Sequence, residues 1–252
     1  MTVVLVHGNP ETAAVWGPLR AELDRVAGHL KVVCLSPPGW GSPVPPDWRA
    51  TVEAYRQWLV GELQRFGGPV DLVGHDWGGG HVLTVAMTRP DLLRSWCSDV
   101  LGCFDPEYEW HPLAQIWQTP GRGEAAVEAL VRDPTALIEP LAARGLDPAV
   151  GAELAAGYDE TMARCILDLY RDAAQPAMAR LGQNLPAAAA RPGLSVLATA
   201  DDDVGTERMR RRAATRAGAR TAVLDGLGHW WMVQDPARAA AVFTEFWSTV
   251  AH

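Results

Sequence analysis

The sequence predicts an α/β fold: a mostly parallel sheet of about six strands, with helices on both faces and one helical insert. Short runs of β-branched and aliphatic residues alternate along the chain with longer amphipathic stretches. The short runs are continuously apolar, which is typical of strands buried on both faces. Strands and helices that alternate with short connections form parallel sheets, and this alternation is interrupted once, in the middle of the chain.

The predicted strands are short and rich in β-branched residues, and in chain order they are Thr2–Val6, Lys31–Leu35, Pro69–Val73, Ser95–Leu101, Leu194–Ala200 and Arg220–Leu224. Amphipathic segments predict helices between and after them, at residues 12–27, 51–66, 79–88, 206–218 and 236–250. The last helix has a typical start, because Asp235 can cap it and Pro236 fits its first position.

Residues 103–190 contain no predicted strand. Pro-Gly, Asp-Pro and Gly-rich sequences divide this segment into several helical stretches, and the alanine-rich residues 183–192 would lead the chain back to the sheet. We therefore predict two structural units. One is an α/β core formed by residues 1–102 and 191–252, and the other is a helical cap formed by residues 103–190.

The charge balance argues against several classes of function. The chain has 22 Lys and Arg against 30 Asp and Glu, a net charge of −8, whereas nucleic-acid binding needs clustered cations. No apolar run reaches the roughly 18 residues of a membrane span, and the short apolar start does not resemble a signal peptide. The four cysteines lack metal-ligand spacing. We expect a cytoplasmic monomer or homodimer with reduced thiols that binds neither nucleic acid nor membranes.

The most specific motif is Gly74-His75-Asp76-Trp77-Gly78-Gly79, which follows a predicted strand and precedes a helix. A nucleophile on such a turn has strained backbone geometry, and side chains two residues to either side would collide, which explains Gly74 and Gly78. Asp76 would lie at the end of a strand and the start of a helix, where an anion is stabilised. The motif predicts a nucleophilic carboxylate; the alternative is a glycine-rich helix start with an incidental Asp.

Two further motifs could complete a catalytic site. His7-Gly8-Asn9-Pro10 follows the first strand, so the N–H groups of Asn9 and Trp77 could form an oxyanion hole. Leu227-Gly228-His229-Trp230 follows the last strand, where His229 could act as general base. The acid that orients this histidine is expected in the turn after the fifth strand, which contains Asp201, Asp202 and Asp203.

In these motifs, and in their order of nucleophile, acid and histidine, the chain resembles the α/β-hydrolase superfamily along nearly its whole length. HGNP, GHDWGG and GHW are similar to the branch of epoxide hydrolases and haloalkane dehalogenases, in which the nucleophile is Asp. The acid of that branch usually ends a Gly-x-x-Asp turn. The resemblance therefore favours Asp203 as the partner of His229, with Asp202 second. It also implies that the leading hairpin of many relatives is missing.

An aspartate nucleophile implies hydrolysis of a carbon–heteroatom bond. A carboxylate can displace a leaving group at saturated carbon and form an alkyl-enzyme ester, whereas a serine would attack an acyl carbon. His229 would then activate water, and the oxyanion hole would stabilise the tetrahedral intermediate. Nothing in this chemistry requires a metal or an organic cofactor, and the sequence has no Walker A loop or HExxH motif.

The leaving group separates the enzyme classes. An epoxide oxygen needs a proton, and Tyr170 before Arg171 resembles the ring-opening Tyr in the cap of epoxide hydrolases. His111 is the preferred second donor, with Trp110, Tyr108 and Tyr158 as alternatives. A halide needs only N–H donors, and Asn9 and Trp77 are the residue types that hold halide in haloalkane dehalogenases. We predict an epoxide hydrolase; the alternatives are a dehalogenase of alkyl halides or haloacids and a non-catalytic binding protein.

Tryptophan is unusually frequent, with 11 Trp against 4 Tyr and 4 Phe. Five of the indoles lie beside the proposed catalytic motifs or early in the cap, and we predict that they line a pocket: Trp77, Trp110, Trp117, Trp230 and Trp231. An apolar pocket of this kind would suit a small hydrophobic substrate and would keep bulk water from the ester.

Overall fold

The computed structural model describes residues 1–250. The predicted α/β class is confirmed: six strands form one sheet, every neighbouring pair is parallel, and the order is β2-β1-β3-β4-β5-β6. The strands are β1 Thr2–Val6, β2 Lys31–Leu35, β3 Val70–Gly74, β4 Leu93–Ser98, β5 Gly193–Ala198 and β6 Ala219–Leu224. The fourth strand is displaced from its predicted position because residues Leu101–Phe104 form a 3-10 helix.

Helices connect and cover these strands. In chain order they are α1 Gly17–Ala27, α2 Val52–Leu63, α3 Trp77–Thr88, α4 Pro112–Gln118, α5 Arg122–Arg132, α6 Ile138–Ala143, α7 Pro148–Ala156, α8 Glu160–Asp172, α9 Ala177–Leu181, α10 Glu207–Arg216, α11 Trp231–Gln234 and α12 Pro236–Ser248. Within the described residues, none of these helices is both long and apolar enough to cross a membrane.

The direction of strand addition reverses after β2. The chain passes from β1 to β2 at one edge and then returns to place β3 on the other side of β1. Because parallel crossovers are right-handed, this reversal puts α1 on the opposite face of the sheet from α2 and α3. In such sheets the carboxyl ends of the strands at the reversal form a crevice that binds ligands. Here those strands are β1 and β3.

All elements between β4 and β5 are helical, from Leu101–Phe104 to a 3-10 helix at Gly182–Ala190. These helices include α4 to α9, and the segment that contains them is the predicted cap. The proposed boundaries of the cap at residues 103 and 190 stay a prediction.

The strand register determines which residues meet at the carboxyl edge of the sheet. Val6 at the end of β1 pairs with Gly74 at the end of β3, and Gly74 pairs with Ser98 at the end of β4. The residues that follow these three strand ends are therefore neighbours. In the same way, Ala198 at the end of β5 pairs with Leu224 at the end of β6, so the loops after β5 and β6 lie side by side.

Candidate active site

Asp76 lies on a sharp turn between β3 and α3 and has a φ of 49°, an unusual backbone conformation for a residue with a side chain. The chain can turn here because the residues two positions before and after Asp76 are glycines. A Cβ on Gly74 would collide with the backbone of Gly78, and a Cβ on Gly78 would collide with the backbone of Val6. This close packing fixes Asp76 at the carboxyl end of the sheet, as the motif predicts.

The carboxylate of Asp76 has one oxygen that is held and one that is open. Its Oδ1 accepts a hydrogen bond of 2.9 Å from the backbone N–H of Asn9, and the N–H of Trp77 also stabilises the carboxylate. Its Oδ2 lies 3.7 Å from Nε2 of His229. Burial raises the pKa of Asp76 to about 6, against the opposing effect of His229. The N–H of Asn9 therefore points at the carboxylate as a donor of an oxyanion hole would, and the oxyanion-hole role of Asn9 and Trp77 stays a prediction.

His229 is oriented by Asp201, not by Asp203. Its Nδ1 lies 2.9 Å from Oδ2 of Asp201, and both side chains are buried. Although burial opposes the charge on the imidazole ring, Asp201 raises the pKa of His229 to about 9. Burial also opposes ionisation of Asp201, but His229 lowers the pKa of that carboxyl to about 2. The two side chains therefore form a strongly coupled pair.

The expected pairing of His229 with Asp203, or secondly with Asp202, is wrong. After β5 the chain turns so that Asp201 is 2% exposed, whereas Asp202 points to solvent. Asp203 forms an ion pair with Arg144 instead, and its N–H donates to Oδ1 of Asp201. The physical reason is the tight turn itself, which directs three consecutive and chemically identical side chains to three different environments.

A second buried network lies below Asp76. His75 places Nδ1 2.5 Å from Asp99 and Nε2 3.1 Å from Glu11, and all three side chains are buried. Burial opposes a charge on His75, but the two carboxylates outweigh it and hold the pKa of His75 well above its usual value. Both ring nitrogens thus face carboxylates, an arrangement that favours the imidazolium form of His75.

Indole groups complete this network. Trp230 donates from Nε1 to Glu11 over 2.7 Å, and Trp231 donates from Nε1 to Asp99 over 2.8 Å. Asp99 also accepts from the backbone N–H of Asp76 over 3.1 Å. The network therefore ties the nucleophile turn to the segment that follows His229. Trp231 was expected to line the pocket, but it is turned toward Asp99 and is not among the cavity-lining residues.

Within the described residues there are two clusters in which three potential metal ligands lie within 4.8 Å of one another. The first group is Glu11, His75 and His229, and the second is Asp201, Asp203 and His229. In the first group both nitrogens of His75 face carboxylates. In the second, Asp203 is paired with Arg144 and Asp201 with His229. Both groups are thus tied into hydrogen bonds and ion pairs of the protein.

A cavity of about 820 Å³, including its open mouth, lies above Asp76. The cap contributes Tyr170, which packs against Trp117 with ring centroids 4.7 Å apart and against Trp77 at 5.5 Å. Burial and the nearby charge of Asp76 raise the pKa of Tyr170 well above its usual value. The hydroxyl is therefore protonated and able to donate. Trp230 and Trp110 also line this cavity.

The other candidate donors of the cap have different environments. His111 lines the cavity, and its Nδ1 accepts a hydrogen bond of 3.3 Å from the N–H of Ala114. Tyr108 also lines the cavity, but its hydroxyl donates to the backbone oxygen of Asp203 over 2.7 Å. Tyr158 is buried and is not a lining residue.

Five residues that hold the site have no role in the predictions from sequence: Glu11, Asp99, His75, Arg144 and Gln234. Glu11 could have been found, because it is an acidic residue directly after the motif His7-Gly8-Asn9-Pro10. Asp99 falls inside the predicted strand Ser95–Leu101, where a charged residue in an apolar run was itself a signal. His75 was part of the recognised motif without a role. Arg144 and Gln234 carry no recognisable pattern, since their contacts depend on how the cap meets the core.

Comparisons with known proteins agree on the fold and differ in activity. A curated relative, (E)-2-((N-methylformamido)methylene)succinate hydrolase from Acinetobacter baylyi (strain ATCC 33305 / BD413 / ADP1), is 30% identical over 93 residues, 36% of this chain. The match spans 34% of that relative, about a third of its length.

Epoxide hydrolase A from Mycobacterium thermoresistibile superposes with a TM-score of 0.74 at 21% identity, over 99% of this chain and 92% of that one. A loop variant of haloalkane dehalogenase DbeA from Bradyrhizobium elkanii gives 0.75 at 21% identity, over 99% and 89%. At this identity the similarity establishes the fold alone. The Alpha/beta hydrolase family matches residues 3–242. The chain therefore belongs to the alpha/beta hydrolase family and has its fold.

Proposed function

We propose that this hydrolase is an epoxide hydrolase that forms an alkyl ester on Asp76 and releases a vicinal diol. One observation carries the proposal: a protonated tyrosine, Tyr170, lines the same cavity as an aspartate nucleophile whose reacting oxygen is open. A carboxylate attacks saturated carbon, and a protonated phenol provides the proton that an epoxide oxygen needs when its C–O bond breaks.

In the first step, Oδ2 of Asp76 attacks an epoxide carbon, the C–O bond of the ring breaks, and Tyr170 donates its proton to the departing oxygen. The product is an ester of Asp76 that carries a hydroxyl group on the adjacent carbon. Oδ1 is already held by Asn9, so Oδ2 is the oxygen that faces the substrate and His229.

In the second step, esterification has removed the charge of Asp76 that helps to raise the pKa of His229. The neutral ring takes a proton from water, and the hydroxide attacks the ester carbonyl carbon. The N–H groups of Asn9 and Trp77 stabilise the oxyanion. When the tetrahedral intermediate collapses, the proton on His229 passes to the leaving alkoxide, which yields the diol. The proton that remains on the Asp76 carboxyl returns to the Tyr170 phenolate, and both side chains regain their resting forms. Asp201 stabilises the imidazolium that exists between these proton transfers.

His111 is proposed as the second donor to the epoxide oxygen. Its Nδ1 accepts from Ala114, so in the neutral ring the proton resides on Nε2, which can donate. Burial lowers the pKa of His111 and keeps this ring neutral. Tyr108 is less suited, because its hydroxyl already donates to a backbone oxygen.

A specific observation also supports haloalkane dehalogenation as a second candidate. Among residues 1–250, Nδ2 of Asn9 and Nε1 of Trp110 and Trp117 are buried and find no hydrogen-bond partner. Asn9, Trp110 and Trp117 all line the cavity. N–H donors without partners could hold a departing halide, which needs no proton.

The test compares diol formation from styrene oxide with halide release from 1-bromobutane, in the wild type and in Tyr170→Phe. The wild type should form diol, and Tyr170→Phe should lower kcat for the diol by about 10²–10⁴-fold, the usual contribution of general acid catalysis. Tyr158→Phe removes another buried cap hydroxyl outside the cavity and should leave the rate unchanged. Halide release without diol, unaffected by Tyr170→Phe, would establish the dehalogenase instead.

A further inference from the structure

We propose that Asp203 and Gln234 are positioning residues that couple docking of the cap to alignment of His229 with Asp201. Both connect the same corner of the cap, Arg144 and Gly145, to the loops that carry this pair. The inference rests on the proposed function in one respect: the aligned pair is what hydrolyses the ester on Asp76.

The first connection runs through Asp203. From the cap, Arg144 forms an ion pair with the Asp203 carboxylate, and Tyr108 donates to its backbone oxygen over 2.7 Å. From the other side, the N–H of Asp203 donates to Oδ1 of Asp201 over 3.0 Å. Oδ2 of Asp201 is then directed at His229. Cap residues thus hold the residue that orients the acid.

The second connection runs through Gln234. Its Oε1 accepts from the N–H of Gly228, the residue before His229, over 2.7 Å. Its Nε2 donates to the backbone oxygens of Arg144 and Gly145 over 3.4 and 3.3 Å. Gly145 allows this approach, because a Cβ there would collide with the Gln234 side chain.

Arg144 closes the ring of contacts. Its guanidinium lies over the ring of Trp230, the residue after His229, at 5.3 Å from the centroid. The loop that carries His229 is therefore contacted on both sides by one corner of the cap. If this corner moves away, Asp203 and Gln234 lose their cap partners together. Asp201 then loses the orienting contact from Asp203, and the loop of His229 loses the one from Gln234.

The nucleophile also has holding contacts outside this corner. Asp76 is positioned by the N–H of Asn9 and by the contact of its own N–H with Asp99, and neither group belongs to the cap. The coupling therefore affects the two chemical steps differently. Loss of the corner should slow hydrolysis of the alkyl-enzyme ester and leave its formation unchanged.

The test follows the ester of Asp76 by rapid mixing with styrene oxide and intact mass spectrometry. Arg144→Met keeps an unbranched apolar stem and removes the ion pair. It should slow ester decay by about tenfold, part of the 10²–10⁴-fold that a general base contributes, without changing ester formation. Asp203→Asn should act in the same way, and the double variant should be no slower than either single variant. Arg132→Met, at an exposed ion pair of the cap, is the matched control.

Gln234→Glu provides a second variant for the same coupling, because it keeps the acceptor for Gly228 and removes the donor to the cap oxygens. Equal slowing of both steps would reduce the corner to general support of the cap, and unchanged decay would overturn the coupling.

A spectroscopic readout separates this inference from the proposed function. The proton between His229 and Asp201 should give a downfield ¹H resonance in the resting protein, identified by its loss in His229→Gln. Arg144→Met should shift or broaden this resonance even if no epoxide is turned over. A protein that forms no ester would contradict the proposed function alone, whereas an unchanged resonance in Arg144→Met would contradict the coupling.

Discussion

The two walls of the cavity, one formed by the core and one by the cap, differ in how charge is arranged around them. Behind the core wall the buried carboxylates have hydrogen-bond partners: Glu11 and Asp99 hold His75, and Asp201 holds His229. On the cap wall, indole N–H groups such as those of Trp110 and Trp117 are buried without partners among residues 1–250. Charge is therefore organised by the sheet, whereas the cap offers an aromatic surface with unused donors.

This difference suggests a division of roles. Satisfied, low-dielectric networks fix proton positions and support the bond-making steps. Unsatisfied donors buried in an aromatic wall become available to a substrate or leaving group once side chains of the wall shift. We expect substitutions on the core wall to change rates by orders of magnitude and substitutions on the cap wall, apart from Tyr170, to change selectivity more modestly.

The largest effect is expected for Asp76→Ala. Removal of the nucleophile should abolish diol formation, a loss of at least about 10⁴-fold. No other carboxylate is placed to attack the epoxide, and direct attack by water is slow. Steady-state turnover of styrene oxide and a thermal melt, to show that the fold is retained, measure this. Asp202→Ala, at an exposed carboxylate nearby, is the control. If Asp76→Ala retained turnover, Asp76 would not be the nucleophile, and the catalytic group would have to lie elsewhere than on the core wall.

His229→Gln should leave ester formation intact and stop its hydrolysis, since the water is no longer activated. Turnover should fall by about 10⁴-fold, and the protein mass should increase by that of the bound substrate. Intact mass spectrometry detects this adduct. His29→Gln, at an exposed histidine, should behave as the wild type. An inactive variant that never carries an adduct would argue for direct attack of water on the substrate.

Asp201→Asn should slow ester hydrolysis by about 10³-fold, because the amide favours the wrong tautomer of His229 and cannot stabilise its charge. The rate of adduct decay measures this effect. The neighbouring Asp202→Asn removes an equal charge from the same turn and should have little effect. If Asp203→Asn slowed ester hydrolysis more than Asp201→Asn, the assignment of Asp201 as the acid that orients His229 would be incorrect.

Ester formation should depend on pH through Asp76. Burial raises the pKa of this carboxyl to about 6, and only the ionised form attacks carbon. The rate of ester formation should therefore be constant well above pH 6 and should fall about tenfold for each pH unit well below it. Rapid mixing at a series of pH values gives the profile. A rate that is flat down to pH 4.5 would mean that the buried network keeps Asp76 ionised.

The smallest effect is expected on the cap wall. Trp117→Phe keeps an aromatic ring against Tyr170 and removes an N–H that has no partner in the described part of the chain. For an epoxide, kcat should stay within a few-fold, about 1 kcal/mol in transition-state free energy. KM values for styrene oxide and for bulkier epoxides would reveal any change in selectivity. A loss of kcat as large as that expected for Tyr170→Phe would give Trp117 a part in the chemistry.

Several parts of the site could be predicted from sequence because local rules determine them. The glycines around Asp76 are required by sterics within a few residues, and the continuous apolar runs require a sheet buried on both faces. Once the strands and their parallel order are known, Asn9, Asp76 and His229 follow strand ends and must lie at one edge of the sheet. Those predictions needed no knowledge of side-chain packing.

The acid could not be chosen in this way. Asp201, Asp202 and Asp203 have the same chemistry and adjacent positions, and the resemblance to a Gly-x-x-Asp turn pointed to the last of them. Which one faces His229 depends on the turn after β5 and on the cap residue Arg144, which holds Asp203 from a distance of 59 residues in sequence. Trp231 was misplaced for a similar reason, since its direction depends on Asp99.

The sequence alone therefore determined the fold class, the nucleophile turn and the histidine loop, because these depend on hydrophobic periodicity and on sterics between near neighbours. The choice of acid, the charged network of Glu11, His75 and Asp99, and the contacts of Arg144 and Gln234 were decided by the folded structure. Each of these depends on which polar groups become buried together, and burial is a property of the whole packed chain.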